Sequence, residues 1–159
     1  MSTFDEVYLS EQRRAFKLAY LLCGELGLAE EVVADAMVSA WPRWDAGEIA
    51  DLGSYVRRAV VNQMTSRFRR RSLERRLVMP RRQGAGGPED VAVDRQVVLG
   101  ALKRLPPRQR AAIVLRYYED LPEAQIAAAM ATSVGTTKAH LSRGLAKLRV
   151  LLDDGGGDR

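Results

Sequence analysis

The chain has 159 residues, enough for one domain or two small ones, and 47% of them are hydrophobic and 28% charged, as in a globular protein. It carries 25 Lys and Arg against 20 Asp and Glu, and this net charge of +5 favours a nucleic acid or another anionic partner. The single cysteine, Cys23, excludes an internal disulfide and a multi-cysteine zinc site, and the single histidine, His140, excludes a histidine metal cluster. We therefore expect no metal, no cofactor and no enzymatic activity.

The hydropathy pattern predicts neither a membrane span nor a signal peptide. No apolar run approaches the roughly 20 residues that cross a bilayer. The first six residues are mixed and partly acidic, unlike a secretory signal. The sequence therefore predicts a cytoplasmic protein without membrane insertion.

The N-terminal half has the period of α-helices. The first helix is predicted over about residues 4–23, with Cys23 as a small buried hydrophobe at its end. The apolar side of a second helix contains Ala29, Val32, Val33, Ala36, Met37, Ala40 and Trp41. A third helix follows Ser54, its predicted N-cap, with Tyr55 and Val56 beginning its apolar side. Trp41 and Tyr55 are thus expected in the core, and Trp44 is expected to be exposed.

Charge is distributed unevenly along the chain. Residues 1–56 have a net charge of −6, residues 57–82 a net charge of +9, and residues 83–159 a net charge of +2. Nine net positive charges in one segment repel one another, and DNA would relieve that repulsion. A solvated basic face is the alternative interpretation.

Helix breakers divide the chain into two parts. Two Pro and three Gly between residues 79 and 90 predict a flexible linker. We therefore predict one helical domain over residues 1–78 and a second over 91–152, followed by a disordered tail over 153–159. The period of strands is absent from the sequence, so the predicted fold class is all-α.

Beyond the linker, helices are predicted over about Val93–Leu105 and Gln109–Tyr118. A short helix over Pro122–Met130, a break at Ala131–Ser133 and a longer helix from Val134 then follow the plan of a helix-turn-helix, whose second helix enters the major groove. Its groove-facing side would present small, hydroxyl-bearing and basic residues, namely Gly135, Thr136, Lys138, Ala139, Ser142 and Arg143. An ordinary helical hairpin with a solvated polar face is the alternative.

Two blocks of motifs resemble a known family. Region four of sigma-70-type factors is similar to Leu105–Arg110, Leu115–Leu121, Ile126-Ala127, Gly135-Thr136 and Leu141–Arg143. Region two is similar to Tyr20–Gly24, Ala29–Glu31 and Tyr55–Asn62, closing on Arg69–Arg71. Over about residues 4–152 the chain resembles a small extracytoplasmic-function sigma factor.

The resemblance implies an initiation factor whose partners are core RNA polymerase and promoter DNA. In the family, an acidic helix of region two binds the polymerase, and the matching residues here are Glu30, Glu31 and Asp35. The alternative is that the two Glu merely complement the N-terminal dipole of their own helix.

The resemblance further implies that region four reads the minus-35 element as duplex, while region two reads and opens the minus-10 element. The loop after Trp44 would receive an unstacked base, and the helix after it would hold the strands. The implied minus-10 residues are Trp44, Arg57, Arg58, Asn62, Ser66, Arg69, Arg70 and Arg71.

The sequence departs from the family pattern at Ala34, Gln125 and Ala131. An alanine in a left-handed turn at position 131 would cost about 1 kcal/mol. Two other classes of function stay open, a helix-turn-helix regulator that acts without polymerase and an interaction module held by an antagonist. Many members of the family have an anti-sigma factor, and no residue here identifies one.

Overall fold

The computed structural model describes residues 4–75 and 93–156, which form helices and no strand. The helices are α1 (Phe4–Cys23), α2 (Leu26–Asp45), α3 (Leu52–Arg75), α4 (Val93–Lys103), α5 (Pro107–Tyr117), α6 (Glu123–Ala129) and α7 (Val134–Gly156). The predicted all-α class is confirmed, and most predicted helix bounds are right to within a few residues. The predicted linker over 79–90 lies outside the described residues.

The first three helices pack around a core of small and aliphatic side chains. Ala29, Ala36 and Ala40 of α2 are fully buried, and such small residues let neighbouring helices approach closely. Val56 and Val60 of α3 meet them in the same core. This packing turns one side of α3 inward and leaves the opposite side in solvent.

The ends of these helices follow local chemistry. Gly24 ends α1 in the left-handed conformation, with φ of 71°, and its N–H donates to the Tyr20 carbonyl at 2.7 Å. The N-cap of α3 is Asp51, whose carboxylate accepts the Ser54 N–H at 3.3 Å and the Ser54 hydroxyl at 2.6 Å. The prediction of Ser54 as N-cap was therefore wrong, because the helix begins earlier, at Leu52.

The helices α4 to α7 form the second group, in which α7 packs across α5. Gly144 of α7 is buried, and a Cβ there would lie 3.0 Å from Ile113 Cγ1, so the two helices touch through the glycine. Pro107 occupies the first turn of α5, where a missing N–H costs nothing. The helix α7 continues to Gly156, so residues 153–156 are helical where the sequence predicted a tail.

A buried arginine joins the two groups of helices. The Arg110 side chain of α5 reaches α1, where its Nε donates to the Leu21 carbonyl at 2.8 Å, and the residue is only 4% exposed. Lys103 of α4 packs directly on Gly24. The carbonyl groups at the end of α1 carry partial negative charge, and α1 has no basic residue of its own in its last turn. Arg110 and Lys103 supply positive charge there instead.

Glu119 makes the reciprocal contact. Its side chain is 7% exposed and lies 3.8 Å from Arg14 of α1 and 3.6 Å from Arg57 of α3. Arg110 and Lys103 of the second group thus contact the end of α1. In return, Glu119 of the second group pairs with Arg14 and Arg57 of the first group. These polar contacts accompany a hydrophobic core that the two groups share.

Candidate nucleic-acid and polymerase interfaces

The turn between α6 and α7 has the geometry of a helix-turn-helix. Ala131 is left-handed with φ of 52°, and the next amide, Thr132 N–H, donates to the Ala127 carbonyl at 3.0 Å. Ser133 then caps α7, since its Oγ accepts the Thr136 N–H at 3.1 Å. Thr137 is fully buried and donates to the Ser133 carbonyl at 3.0 Å. These bonds fix the first turn of α7.

The region-four residues predicted to read DNA lie together on the open side of α7. Ala139 is half-buried, and the exposed members are Gly135, Thr136, Lys138, Ser142 and Arg143. Lys138 makes a long contact of 3.8 Å with Glu123, and both side chains stay accessible. This face is small near the turn and basic further along, as close approach to a major groove requires.

The potential beside this face is positive. Burial lowers the pKa of His140, and the charges of Arg108 and Arg143 lower it further. The imidazole is half-buried. Because its pKa is lowered, the imidazole is neutral at pH 7, and the positive charge near it comes from Arg108 and Arg143.

On α3, some of the predicted minus-10 residues form one exposed stripe. They recur at helical spacing and are Arg58, Asn62, Ser66, Arg69 and Arg70. No ion pair to another described residue involves the three arginines of this stripe. The stripe therefore offers unpaired guanidinium groups and an amide to an anionic partner.

Two other predicted DNA residues face the protein instead. Arg57 is 18% exposed and pairs with Glu119. Arg71 lies 3.0 Å from Glu25, with which its guanidinium forms a two-pronged contact. The structure thus separates Arg57 and Arg71 from the exposed stripe.

The two tryptophans exchange their predicted roles. Trp41 is 40% exposed, while Trp44 is partly buried and packs against the core. The expectation that Trp44 is the exposed one was wrong, because α2 continues through Pro42 to Asp45 and Trp44 extends the buried face of Met37 and Ala40. The two rings lie 6.2 Å apart between centroids.

The predicted polymerase-binding acids are exposed on α2, where Glu30, Glu31 and Asp35 occupy the second and third turns. The first turn of α2 has no acid, so the dipole interpretation fails, since that effect decays within the first turn. Arg67 of α3 bridges two of them, with Nη1 3.0 Å from Glu31 Oε1 and Nη2 3.1 Å from Asp35 Oδ2. Sequence reasoning missed Arg67, because it lies 32 residues from Asp35 along the chain.

Among the described residues, the remaining groups with reactive or metal-binding chemistry are Cys23, His140 and the acids. Cys23 is buried, and burial raises the pKa of its thiol. Within residues 4–75 and 93–156, no group of three or more His, Cys, Asp or Glu residues could hold a metal ion. Across those same residues, every helix is too short or too polar to cross a bilayer. A helix-turn-helix beside a second helical unit with basic and acidic faces defines a DNA-binding transcription protein.

Comparison with known proteins identifies the family. A family model described as sigma-70 region 2 matches residues 7–74, and one described as sigma-70, region 4 matches residues 95–148. The RNA polymerase sigma-E factor of Streptomyces coelicolor is 33% identical over 151 residues, 92% of this chain and 84% of that protein. The ECF RNA polymerase sigma factor SigW of Bacillus subtilis is 26% identical over 89% of this chain and 84% of its own.

A solved structure gives a further match. The sigma factor RpoE of Bartonella quintana, crystallised in complex with the anti-sigma factor NepR, has a TM-score of 0.78 and 26% identity over 98% of both chains. The present chain belongs to the sigma-70 family of RNA polymerase sigma factors, in the extracytoplasmic-function (ECF) group. It therefore directs core RNA polymerase to promoters and supports the initiation of DNA-templated transcription.

Proposed function

We propose that the three exposed faces divide the work of initiation. The open side of α7 reads the minus-35 element as duplex, the exposed stripe of α3 holds and helps to open the minus-10 element, and the acids of α2 bind core RNA polymerase. The family matches at residues 7–74 and 95–148 support a first domain over residues 1–78 and a second over 91–152.

The stripe on α3 carries this proposal. Three arginines of α3 are compensated by acids from other parts of the chain, namely Arg57 by Glu119, Arg67 by Glu31 and Arg71 by Glu25. Among the described residues, no acid pairs with Arg58, Arg69 or Arg70, which lie on the side where Asn62 and Ser66 are also exposed. A row of unpaired cations with amide and hydroxyl groups between them suits a phosphate backbone and unstacked bases.

The proposal extends to cellular context. The protein would act in the cytoplasm, where core polymerase and the chromosome are found, and would catalyse no reaction itself. Because the Bartonella relative was crystallised with an anti-sigma factor, we also propose that an anti-sigma factor restrains this chain.

Reconstituted transcription tests the proposal. Core polymerase with the full chain should initiate at a defined start on a genomic promoter library, and core polymerase alone should not. Promoter fragments should bind the holoenzyme and not the isolated chain at physiological salt. Tight, sequence-specific binding by the isolated chain, with no capture of core polymerase, would instead identify a regulator that acts alone.

A further inference from the structure

We propose that Arg67 is a positioning residue for polymerase binding, which holds the carboxylates of Glu31 and Asp35 in the orientation that core polymerase requires. The inference rests on the proposed function of the α2 acids. It adds a residue of a different helix, and of opposite charge, to that surface.

The geometry is that of a planar fork. Arg67 reaches from α3 to α2 and places one nitrogen 3.0 Å from Glu31 Oε1 and the other 3.1 Å from Asp35 Oδ2. Glu31 and Asp35 are one helical turn apart on α2, where two like charges repel and turn away from each other. A guanidinium with two nitrogens in one plane can hold both carboxylates at once, which an ammonium group does less well.

The bridge leaves the acids available to a partner. Arg67 is 27% exposed, whereas the side chains of Glu31 and Asp35 are 59% and 56% exposed. Each carboxylate gives one oxygen to Arg67, so its second oxygen can accept a hydrogen bond from a basic surface. Long side chains lose rotamer freedom when a partner binds them, and this loss opposes binding. A carboxylate that Arg67 already holds has less rotamer freedom to lose.

Charge alone predicts the opposite effect. If Arg67 only neutralised its neighbours, its removal would leave α2 more negative, and binding to a basic surface would tighten. If Arg67 positions the carboxylates, its removal weakens binding. The sign of the change therefore distinguishes positioning from neutralisation.

The same α2–α3 seam supplies a matched control. Glu25 and Arg71 form a second ion pair there, at 3.0 Å, and Glu25 is outside the acidic set. Glu25→Gln breaks that pair and also removes a negative charge from the domain. It therefore reports what loosening the seam does to polymerase binding without touching Glu31 or Asp35.

The experiment measures the affinity of the full-length chain for core RNA polymerase in the absence of DNA. Arg67→Met should weaken binding by about 5-fold or more, the effect of freeing two side chains that must then be ordered. Arg67→Lys should fall between Arg67→Met and the wild type, and Glu25→Gln should bind as the wild type does. Circular dichroism of each variant controls for folding.

A double-mutant comparison separates positioning from a structural role. In a Glu31→Gln/Asp35→Asn background, Arg67→Met should have no further effect on affinity, because nothing is left to position. Unchanged or tighter binding by Arg67→Met in the wild-type background would overturn the inference. It would also be overturned if Arg67→Met still reduced the affinity in the Glu31→Gln/Asp35→Asn background. Wild-type affinity of the Glu31→Gln/Asp35→Asn protein would overturn the proposed polymerase surface itself, and the inference with it.

Discussion

The arginines whose side chains are described on α3 differ in what lies opposite them. Arg57, Arg67 and Arg71 face acids of neighbouring elements at 3.6 Å or less. The others have no such partner among the described residues and are Arg58, Arg69 and Arg70. A protein cation that neutralises a DNA phosphate releases a bound counterion, and this release favours binding. A guanidinium that is already paired with an acid contributes less to the affinity for DNA.

This difference predicts unequal effects within the basic cluster. Replacing Arg69 and Arg70 together by Ala should weaken promoter binding by the holoenzyme and flatten its salt dependence, by about 0.7–0.9 for each phosphate that is no longer neutralised. Arg71→Ala should have a smaller effect, since Glu25 already holds that side chain at 3.0 Å. Binding titrations over a salt series measure both slopes. A larger effect from Arg71→Ala would show that its ion pair opens on DNA.

A second residue-scale prediction concerns the open side of α7. Arg143 is exposed there, and Arg143→Ala should cost about 1–3 kcal/mol at one position of the minus-35 element and relax specificity at that position. Lys147 is an exposed cation one turn further along the helix. Binding of the Arg143→Ala and Lys147→Ala holoenzymes to a set of single-base promoter variants makes the comparison. Equal, sequence-independent reductions in affinity would assign Arg143 to phosphate instead.

At the scale of elements, the turn between α6 and α7 fixes how the recognition helix leaves the domain. Ala131 sits in the left-handed region, where a Cβ is crowded by the backbone. The bond from Thr132 N–H to the Ala127 carbonyl spans this residue, the bond from Thr136 N–H to Ser133 Oγ follows it, and together they hold the turn in that conformation. The turn is thus strained at one residue and fixed by its neighbours.

Relief of this strain should stabilise the protein. Ala131→Gly should raise the free energy of unfolding by up to about 1 kcal/mol, because glycine adopts positive φ without steric cost. Ala128 is an exposed residue inside α6, so Ala128→Gly should lower the free energy of unfolding by roughly 0.5–1 kcal/mol. Urea denaturation of the two variants measures both. Changes of the same sign would mean that the turn at position 131 is not left-handed in solution.

The start of α3 gives a pH-dependent prediction. The Ser54 hydroxyl, and then its N–H, lower the pKa of the Asp51 carboxyl. A folded-state pKa below the unfolded value of about 3.9 means that the stabilisation is present above that value and is lost as the pH falls through the folded-state pKa. Asp51→Ala should therefore cost about 1 kcal/mol at pH 7 and less at pH 3.

Urea unfolding at both pH values measures this difference. Asp51→Asn, which keeps a hydrogen-bond acceptor without a charge, should lose less stability than Asp51→Ala at pH 7. A destabilisation by Asp51→Ala that is equally large at pH 3 would show that the charge of Asp51 does not contribute.

At the scale of the whole molecule, the two groups of helices share one hydrophobic core, and a few polar contacts add to it. Burial lowers the pKa of Arg110 to about 10, so its guanidinium remains charged at neutral pH. Its Nη2 is buried and has no hydrogen-bond partner within residues 4–75 and 93–156, while Nε is bonded to the Leu21 carbonyl. A buried cation held through one nitrogen favours the contact less than a fully bonded one would.

Cys23 provides a reporter for this contact. The thiol is 7% exposed and lies in the chain just after Leu21, so it should react slowly with an alkylating reagent while Arg110 is in place. Arg110→Met removes the donor to the Leu21 carbonyl, and we expect faster alkylation of Cys23 and a larger radius of gyration by small-angle scattering. Arg108→Met changes an exposed residue of the same helix and is the control. Identical alkylation rates in the two variants would show that Arg110 does not hold the contact.

Much of the fold could be predicted from the sequence, because helix formation depends on residues within a turn or two. The 3.6-residue period located the helices, and the break predicted at Ala131–Ser133 separates α6 from α7. Motifs at both ends of the chain indicated the sigma-70 family, which the comparisons confirm. The N-cap of α3 was misplaced, because Asp51 and Ser54 are both good caps and only the helix start decides between them.

The sequence by itself thus determined the helices, the family and the open side of α7. Only the tertiary structure decided which described arginines of α3 are paired, because the acids that pair with them, such as Glu25 and Glu119, come from distant parts of the chain. The same holds for Trp44, whose burial depends on how far α2 extends over the core. Local propensity acts over a few residues, whereas an ion pair such as that of Arg67 with Asp35 spans 32 residues and forms only when two helices pack.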